Sequence, residues 1–185
     1  LGLSLVGLVA QSSLAKTDPD TLVVAYHRAP NNFLPGKTSS LPNIWIGMLM
    51  YDSLVIHDNQ GKVHPGLAEK WDISEDGTVW TFHLRNDVTF HSGRKFTAKD
   101  VKAHFDMWQK DFPTKAKIKS LESTTIIDDH TIQFKLKYPN LVFLSMISQT
   151  EWGYSGIPDS EALEKYGADY GILPESVSGT GPFIL

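Results

Sequence analysis

The stretch SEDGTVWTFHLRNDVTFHSGRKFTAKDV, residues 74–101, carries the clearest structural signals in this chain. Near its start lies Glu75-Asp76-Gly77, a segment typical of a hairpin turn, because glycine can adopt the positive φ that closes such a turn. Apolar and polar residues then alternate, which predicts a strand with one buried face. The residues of that face are Trp80, Phe82 and Leu84. The stretch therefore predicts an antiparallel hairpin.

A helix is predicted directly after this strand, over residues 97–109. Thr97 and Asp100 have the spacing of a capping box, in which the two residues satisfy free amides of the first turn. Four apolar residues recur at helical spacing and should face the core. They are Ala98, Val101, Phe105 and Trp108. Pro113 should stop the helix soon after its end.

The flanking segments predict a mixture of strands and helices. In chain order they are a buried strand at 21–26, a long irregular loop at 28–42, a helix at 44–51, a meander of short strands at 54–73, a second hairpin at 124–137, a helix at 141–147 and the start of a strand at 183–185. Antiparallel hairpins are prominent in this order. The expected class is therefore α/β or α+β, with mixed sheet and flanking helices.

The composition excludes several classes of function. The formal net charge of -4 provides no broad cationic surface for a nucleic acid, and the chain has no polybasic run for an anionic membrane. The absence of cysteine excludes disulfides, thiolate metal sites and cysteine nucleophiles. We therefore expect no nucleic-acid partner.

The sequence offers no pattern of catalysis or of metal binding. Seven histidines are present, none in an HExxH pair or a close cluster, so we expect most of them at the surface or at strand edges and no metal site. The segment Gly179-Thr180-Gly181 lacks the lysine of a phosphate loop, and no GxSxG elbow occurs. We predict no catalytic residue, no cofactor and no enzyme activity. A secreted hydrolase remains a distant alternative.

The first residues have the pattern of an export signal. Residues 1–10 are apolar but too short to span a bilayer, and the small residues Ser13 and Ala15 follow at the spacing that signal peptidase prefers. We interpret residues 1–15 as the remnant of a signal peptide with cleavage after Ala15, although a buried first helix remains the alternative. The expected location is extracytoplasmic, in the periplasm.

The region from Tyr51 to Val101 resembles the family-5 extracytoplasmic solute-binding proteins, which serve ABC importers of peptides and, in one branch, of nickel chelates. The motifs that carry the resemblance are YDSLV at 51–55, Asp58, Gly61, Pro65, LAE at 67–69, Trp71 and the whole stretch 74–101. The second hairpin, with Asp128 and residues 131–136, and the segment GTGPF at 179–183 match the family as well. The resemblance covers residues 21–185.

This resemblance implies a two-lobed receptor that closes on a ligand and delivers it to a membrane permease. Residues 16–185 would form the N-terminal part of the first lobe of a periplasmic-binding-protein-like fold, with the second lobe missing. Contact with the membrane would occur only through the permease. We expect a peptide as the ligand, because residues 112–119 and 149–157 lack the arginine expected of the nickel-chelate branch. A metallophore or another small solute is the alternative.

The resemblance also implies which residues face the ligand. The family's cleft takes residues from the loop after the first strand and from the region after the apolar helix at 141–147. Aromatic side chains in such loops suit an amphipathic ligand, since their faces pack on apolar groups without requiring one polar partner. The candidate ligand-binding residues are Arg28, Asn31, Asn32, Phe33, Trp152 and Tyr154.

Overall fold

The computed structural model describes residues 30–37, 40–111, 113–150 and 153–185. The predicted signal peptide at 1–15, the predicted strand at 21–26, Arg28 and Trp152 lie outside the described residues. The helices are α1 Leu41–Met50, α2 Ala98–Asp111, α3 Phe143–Met146 and α4 Ser160–Tyr166, with 3₁₀ turns at Pro113–Ala116, Gly167–Asp169 and Pro174–Ser176. The strands are β1 Val55–His57, β2 Val63–Pro65, β3 Ala68–Ile73, β4 Val79–Leu84, β5 Leu121–Asp128, β6 Thr131–Leu136, β7 Ser148–Thr150 and β8 Gly153–Tyr154.

The strands form two four-stranded sheets. The first sheet has the order β2-β1-β7-β8, in which β1 and β7 run parallel and the other pairs are antiparallel. The second sheet has the order β3-β4-β6-β5 and is antiparallel throughout. In sequence, the whole second sheet lies between β2 and β7 of the first. The mixed α/β class with prominent hairpins is confirmed.

The second sheet is built from the two predicted hairpins. Gly77 takes a φ of +68° at the first turn. The alternation of β4 and β6 places six side chains on one buried face: Trp80, Phe82, Leu84, Ile132, Phe134 and Leu136. Helix α2 covers this face, and the ring centroids of Phe105 and Phe134 lie 4.9 Å apart in an edge-to-face arrangement. These rings form the centre of the larger hydrophobic core.

A second, smaller core joins α1 to the C-terminal segments. Its buried members are Leu34, Ile44, Met50, Tyr51, Tyr170 and Val177. The predicted loop at 28–42 ends earlier than expected, because α1 begins at Leu41 and Pro42 occupies its first turn. Proline is tolerated there, since the amide that it lacks would have no partner within the helix.

Two elements near the C-terminal end of the chain differ from the expectation. The helix predicted at 141–147 is a single turn, because the side chain of Asn140 accepts the amide of Val142 at 3.2 Å and residue 148 already enters β7. The strand predicted to start at 183–185 does not form. Instead the amides of Gly181 and Phe183 donate to carbonyls at the end of α1, at 3.0 and 3.2 Å.

The glycines of the GTG segment have a structural explanation. A Cβ atom at Gly179 would lie 2.0 Å from the carbonyl oxygen of Met50, and one at Gly181 would lie 2.6 Å from that of Leu49. Only glycine allows the backbone to approach the end of α1 this closely. His91 reinforces the contact, since its ring lies 2.8 Å from the carbonyl of Gly181 and its amide donates to the carbonyl of Gly179 at 2.8 Å.

Candidate functional site

The first predicted ligand segment, Asn31 to Phe33, is held in place by one buried side chain of α1. Asn43 is only 3% exposed, and its Nδ2 donates to the side-chain oxygen of Asn31 at 3.0 Å and to the carbonyl of Asn32 at 2.7 Å. Its Oδ1 accepts the amide of Asn31 at 3.3 Å. All the described hydrogen bonds of the Asn43 side chain are therefore made to this segment. Asn31 itself remains exposed.

Gly171 holds the same segment from the other side. Its carbonyl accepts the amide of Phe33 at 2.7 Å, and its φ of +81° lies in the left-handed region that favours glycine. A Cβ atom at this position would lie 2.4 Å from the amide nitrogen of Leu34 and 2.9 Å from Oδ1 of Asn32. The amide of Leu34 donates to that same Oδ1 at 2.8 Å. The segment is thus fixed before any ligand arrives.

A groove of about 590 Å³ opens beside this segment, between α2 and α4. Asn32 and Leu34 line it at one end, together with the apolar side chains of Met107, Leu163 and Tyr170. Lys37, Lys99 and Glu164 also line the groove. The groove therefore offers an apolar floor and charged groups of both signs.

Of the second predicted ligand segment, Tyr154 lies on β8 of the first sheet. Residues Gln149 and Tyr154 pair across β7 and β8, and β7 runs parallel to β1. In open α/β sheets, ligands bind beyond the carboxyl ends of the parallel strands. Strand β7 ends at Thr150, close in sequence to the predicted ligand residues Trp152 and Tyr154.

Hydrogen bonds of two buried serines hold β7 and the residue that follows β8. The hydroxyl of Ser155 is buried and donates to the carbonyls of Ile147 and Ser148, the latter at 3.2 Å. Ser148 donates to the carbonyl of Ser145 at 3.1 Å, which leaves its oxygen to accept from Nδ1 of His57 at 2.7 Å. His57, at the end of β1, thereby joins the two parallel strands.

The two predicted segments are placed by different parts of the fold. Asn31, Asn32 and Phe33 lie together against α1 and Gly171, whereas Tyr154 lies on the edge strand of the first sheet. Sequence reasoning did not single out Asn43, although it is the one polar residue in the apolar run LPNIWIGMLM. For Gly171, no feature of the surrounding sequence indicates a role in the site.

A buried ionic cluster connects α2 and α4 and was also not predicted. The guanidinium of Arg94 contacts the carboxylates of Asp100 and Asp159, with Nη2 to Asp159 Oδ1 at 2.7 Å. Burial alone would raise the pKa of Asp159, but hydrogen bonds from Ser92 and Arg94 lower it below its usual value. Asp159 also caps α4, and Ser160 donates to Asp100 at 2.6 Å. This arrangement stabilises the fold around the groove.

Among the histidines that the structure describes, one departs from the expected surface positions. His104, on α2, is fully buried between aromatic rings, with its centroid 4.6 Å from that of Trp108. Neither ring nitrogen has a hydrogen-bond partner among the described residues. Burial lowers the pKa of His104 to about 3, so the ring is neutral at physiological pH. It is a core residue rather than a ligand.

Two further observations concern only the described part of the chain. No group of three or more histidine, aspartate or glutamate side chains is arranged to hold a metal ion. Within the same residues, none of the helices has the length and apolar character needed to cross a membrane.

Comparison with known proteins identifies the family. Residues 62–185 match the sequence profile of the bacterial extracellular solute-binding proteins, family 5 Middle, and the chain therefore belongs to this family. It is 32% identical to the dipeptide-binding protein of Escherichia coli K12 over 212 aligned positions, which cover 100% of this chain and 38% of that protein. The chain thus spans less than two-fifths of the length of such relatives.

Solved structures of relatives share the fold. The structure of NikZ from Campylobacter jejuni in complex with Ni(L-His) has a TM-score of 0.78 at 26% identity, covering 91% of this chain and 33% of that one. The structure of DppA from Helicobacter pylori in complex with the peptide STSA has a TM-score of 0.70 at 26% identity, covering 83% and 34%. These similarities confirm the fold of a periplasmic binding protein.

Proposed function

We propose that this chain belongs to a receptor that binds di- or oligopeptides outside the cytoplasmic membrane and delivers them to the permease of an ABC importer. Residues 16–185 would contribute to the first of two lobes, and residues 1–15 would direct export. Family membership supports a solute-binding role, and the E. coli relative named for dipeptide binding supports the ligand class. The family is one of binding proteins, so we expect no turnover of peptides.

The observation that carries the proposal is the fixed position of Asn31 to Phe33. Asn43 and Gly171 hold this segment through four hydrogen bonds. A segment that is already ordered loses little conformational entropy when a ligand binds. An extended peptide can then accept a hydrogen bond from the side-chain amide of the exposed Asn31, while Phe33, Trp152 and Tyr154 supply apolar faces. Arg28 would meet a carboxylate of the ligand.

The experiment is native mass spectrometry of the full-length protein that contains this chain, purified from the exported fraction without denaturation. A set of short peptides bound at one copy per protein supports the proposal. Peptide titration calorimetry then compares the wild type with Asn43→Ala, which should bind more weakly, and with the exposed control Asn59→Ala. Equal affinity of all three proteins would contradict the role of the fixed segment.

A nickel chelate is the second candidate ligand. The structure in complex with Ni(L-His) has a higher TM-score, 0.78, than the peptide-bound structure, 0.70, and matches a larger share of this chain. The two candidates differ in their dependence on metal. If a chelator abolishes ligand binding and a metal-bearing species is seen in the mass spectrum, the receptor binds a metallophore and the peptide proposal is wrong.

The location can be tested on the same preparation. Sequencing of the mature N-terminus should find Lys16 as the first residue, because cleavage is expected after Ala15. An N-terminus that retains residues 1–15 in the mature protein would favour a buried first helix instead.

A further inference from the structure

Folding gathers lysines from separate stretches of the chain on one exposed surface. Lys115 and Lys119 come from the connection between α2 and β5, and Lys137 directly follows β6. All three are exposed and line a groove of about 350 Å³ with Gln109, Ile118 and Leu121. The Nζ of Lys137 donates to the carbonyl of Lys119 at 3.2 Å, so the two lysines are neighbours. We refer to these three lysines as the lysine surface.

The salt bridges of the described residues do not include the lysine surface. Among the described residues, salt bridges pair Lys135 with Glu122 and Lys102 with Asp106, but no salt bridge involves the three lysines. The Nζ of Lys115 donates to the backbone carbonyl of Lys110. Lys110 is therefore a fourth lysine in this region. The fold thus gathers cationic side chains on one surface of a chain whose net charge is -4.

An apolar tip stands next to the lysine surface. Tyr138, Leu141 and Val142 are 53%, 96% and 57% exposed. Asn140 fixes this tip, because its Nδ2 donates to the hydroxyl of Ser120 at 2.9 Å while its Oδ1 accepts the amide of Val142 at 3.2 Å. Since Ser120 is adjacent to Lys119, the tip is held beside the lysines.

We propose that the lysine surface and the apolar tip bind the anionic lipid headgroups of a membrane. Lysines attract such a surface as flexible point charges and need no defined geometry. A leucine that is almost fully exposed on a projecting turn suits insertion into a soft interface, whereas a protein partner would require a matching pocket. Tyrosine is favoured at the level of the headgroups.

The inference rests on the proposed extracytoplasmic location, which brings the protein to the outer face of a membrane. It adds a direct lipid contact to the contact through the permease. No polybasic run in the sequence indicates this surface, because its lysines are separated along the chain. A receptor held weakly at the membrane would search for its permease in two dimensions.

The test is flotation of the full-length protein with lipid vesicles, read out as the partition coefficient. Phosphatidylcholine vesicles containing phosphatidylglycerol should bind the protein, pure phosphatidylcholine vesicles should not, and raised ionic strength should release it. The double variant Lys119→Glu, Lys137→Glu should bind these vesicles at least about tenfold more weakly. Leu141→Asp should also weaken binding.

The matched control is Lys62→Glu, Lys70→Glu, which makes the same change of charge at exposed positions away from the lysine surface. Its partition should stay close to that of the wild type. Equal losses in both double variants, or no binding to anionic vesicles, would overturn the proposal. Binding to native membranes but not to vesicles of pure lipid would overturn it in favour of an acidic protein partner. Ligand binding by the variants should be unchanged, which separates this test from that of the receptor function.

Discussion

The hydroxyl oxygens of Tyr51 and Tyr170 lie 3.1 Å apart in the smaller hydrophobic core, where both side chains are fully buried. The O–H of Tyr170 donates to the carbonyl of Ser178 at 3.0 Å, and its oxygen accepts the amide of Ser178 at 3.3 Å. Because the one hydroxyl proton of Tyr170 is donated to Ser178, the hydroxyl of Tyr51 is the donor in the bond between the two tyrosines. Burial raises the pKa of Tyr170. One hydroxyl thus connects α1 to the C-terminal segment.

Tyr170→Phe should lower the free energy of unfolding by about 1–3 kcal/mol, because the variant removes the hydroxyl that accepts the buried amide of Ser178 and that bonds to the hydroxyl of Tyr51. The measurement is the urea-denaturation midpoint of the full-length protein, with hydrogen exchange to locate the change in α1. Tyr138→Phe is the control, since this residue is 53% exposed. Equal midpoints for the two variants would contradict the importance of the buried hydroxyl.

Arg94→Met should be among the most damaging substitutions in the chain. It leaves the carboxylates of Asp100 and Asp159 buried without a cation, which costs about 3–5 kcal/mol when a buried pair is broken. Arg85→Met removes an exposed pair with Asp87 and should cost at most about 1 kcal/mol. Thermal unfolding at constant pH compares the two. A loss for Arg94→Met no larger than that of the control would show that the cluster adds no stability.

His104 predicts a dependence of stability on pH. Its folded pKa is lowered to about 3 from the model-peptide value of 6.5, because burial disfavours the charged ring. Between these values the unfolded chain binds a proton that the folded chain does not bind. The free energy of unfolding should therefore fall as the pH decreases from about 6.5 towards 3, by up to about 1.4 kcal/mol per pH unit. Above pH 6.5 His104 is neutral in both the folded and the unfolded chain, so it causes no further change in stability.

The variant His104→Phe should lose that part of the pH dependence. Denaturant midpoints measured across the acidic range give the slope for the wild type and the variant. His83→Phe serves as the control, because His83 is partly exposed and lies 2.8 Å from Asp72. Identical slopes for the wild type and His104→Phe would show that the buried ring does not determine acid stability.

Gly171→Ala should weaken ligand binding by displacing the segment that contains Asn32 and Leu34. Alanine is strained at a φ of +81°, at a cost of about 1–2 kcal/mol, and its Cβ would in addition meet the amide nitrogen of Leu34. Gly93→Ala is a matched control, with a φ of +86° and no atom within 4 Å of its Cβ. Titration with the ligand found by mass spectrometry should show a larger loss of affinity for Gly171→Ala. Equal affinities of Gly171→Ala and Gly93→Ala would show that the segment Asn31 to Phe33 does not contribute to ligand binding.

Elements determined by local patterns could be predicted from the sequence. The hairpin at Gly77 and the helix α2 follow from turn composition and from residue spacing, which do not depend on distant parts of the chain. The capping box is a partial exception. Asp100 accepts the amide of Thr97 at 2.9 Å, as expected, but the hydroxyl of Thr97 also contacts Asp100, which in addition binds Arg94.

The candidate site depends on contacts between distant residues, and a single sequence does not show these. Asn43 meets Asn31 and Asn32 across a turn, and Gly171 meets Phe33 from the far end of the chain. The family resemblance named the ligand segments but not the residues that hold them. The placement of Arg28 and Trp152, which lie outside the described residues, stays a prediction.

The parallel pairing of β1 with β7 joins Val55 to Ser148, and all four strands of the second sheet lie between these two residues in sequence. Closing so long a loop is slow, whereas the hairpins of the second sheet pair residues that are near in sequence. Strands β1 and β2 precede β7 by about 80 residues, so in a chain that folds from its N-terminal end they are present before their partner strand. We expect the second sheet and α2 to fold first, as an independent nucleus. Until β7 pairs, the parallel edge of β1 is open to non-native pairing, so this interval is the step of folding most exposed to aggregation.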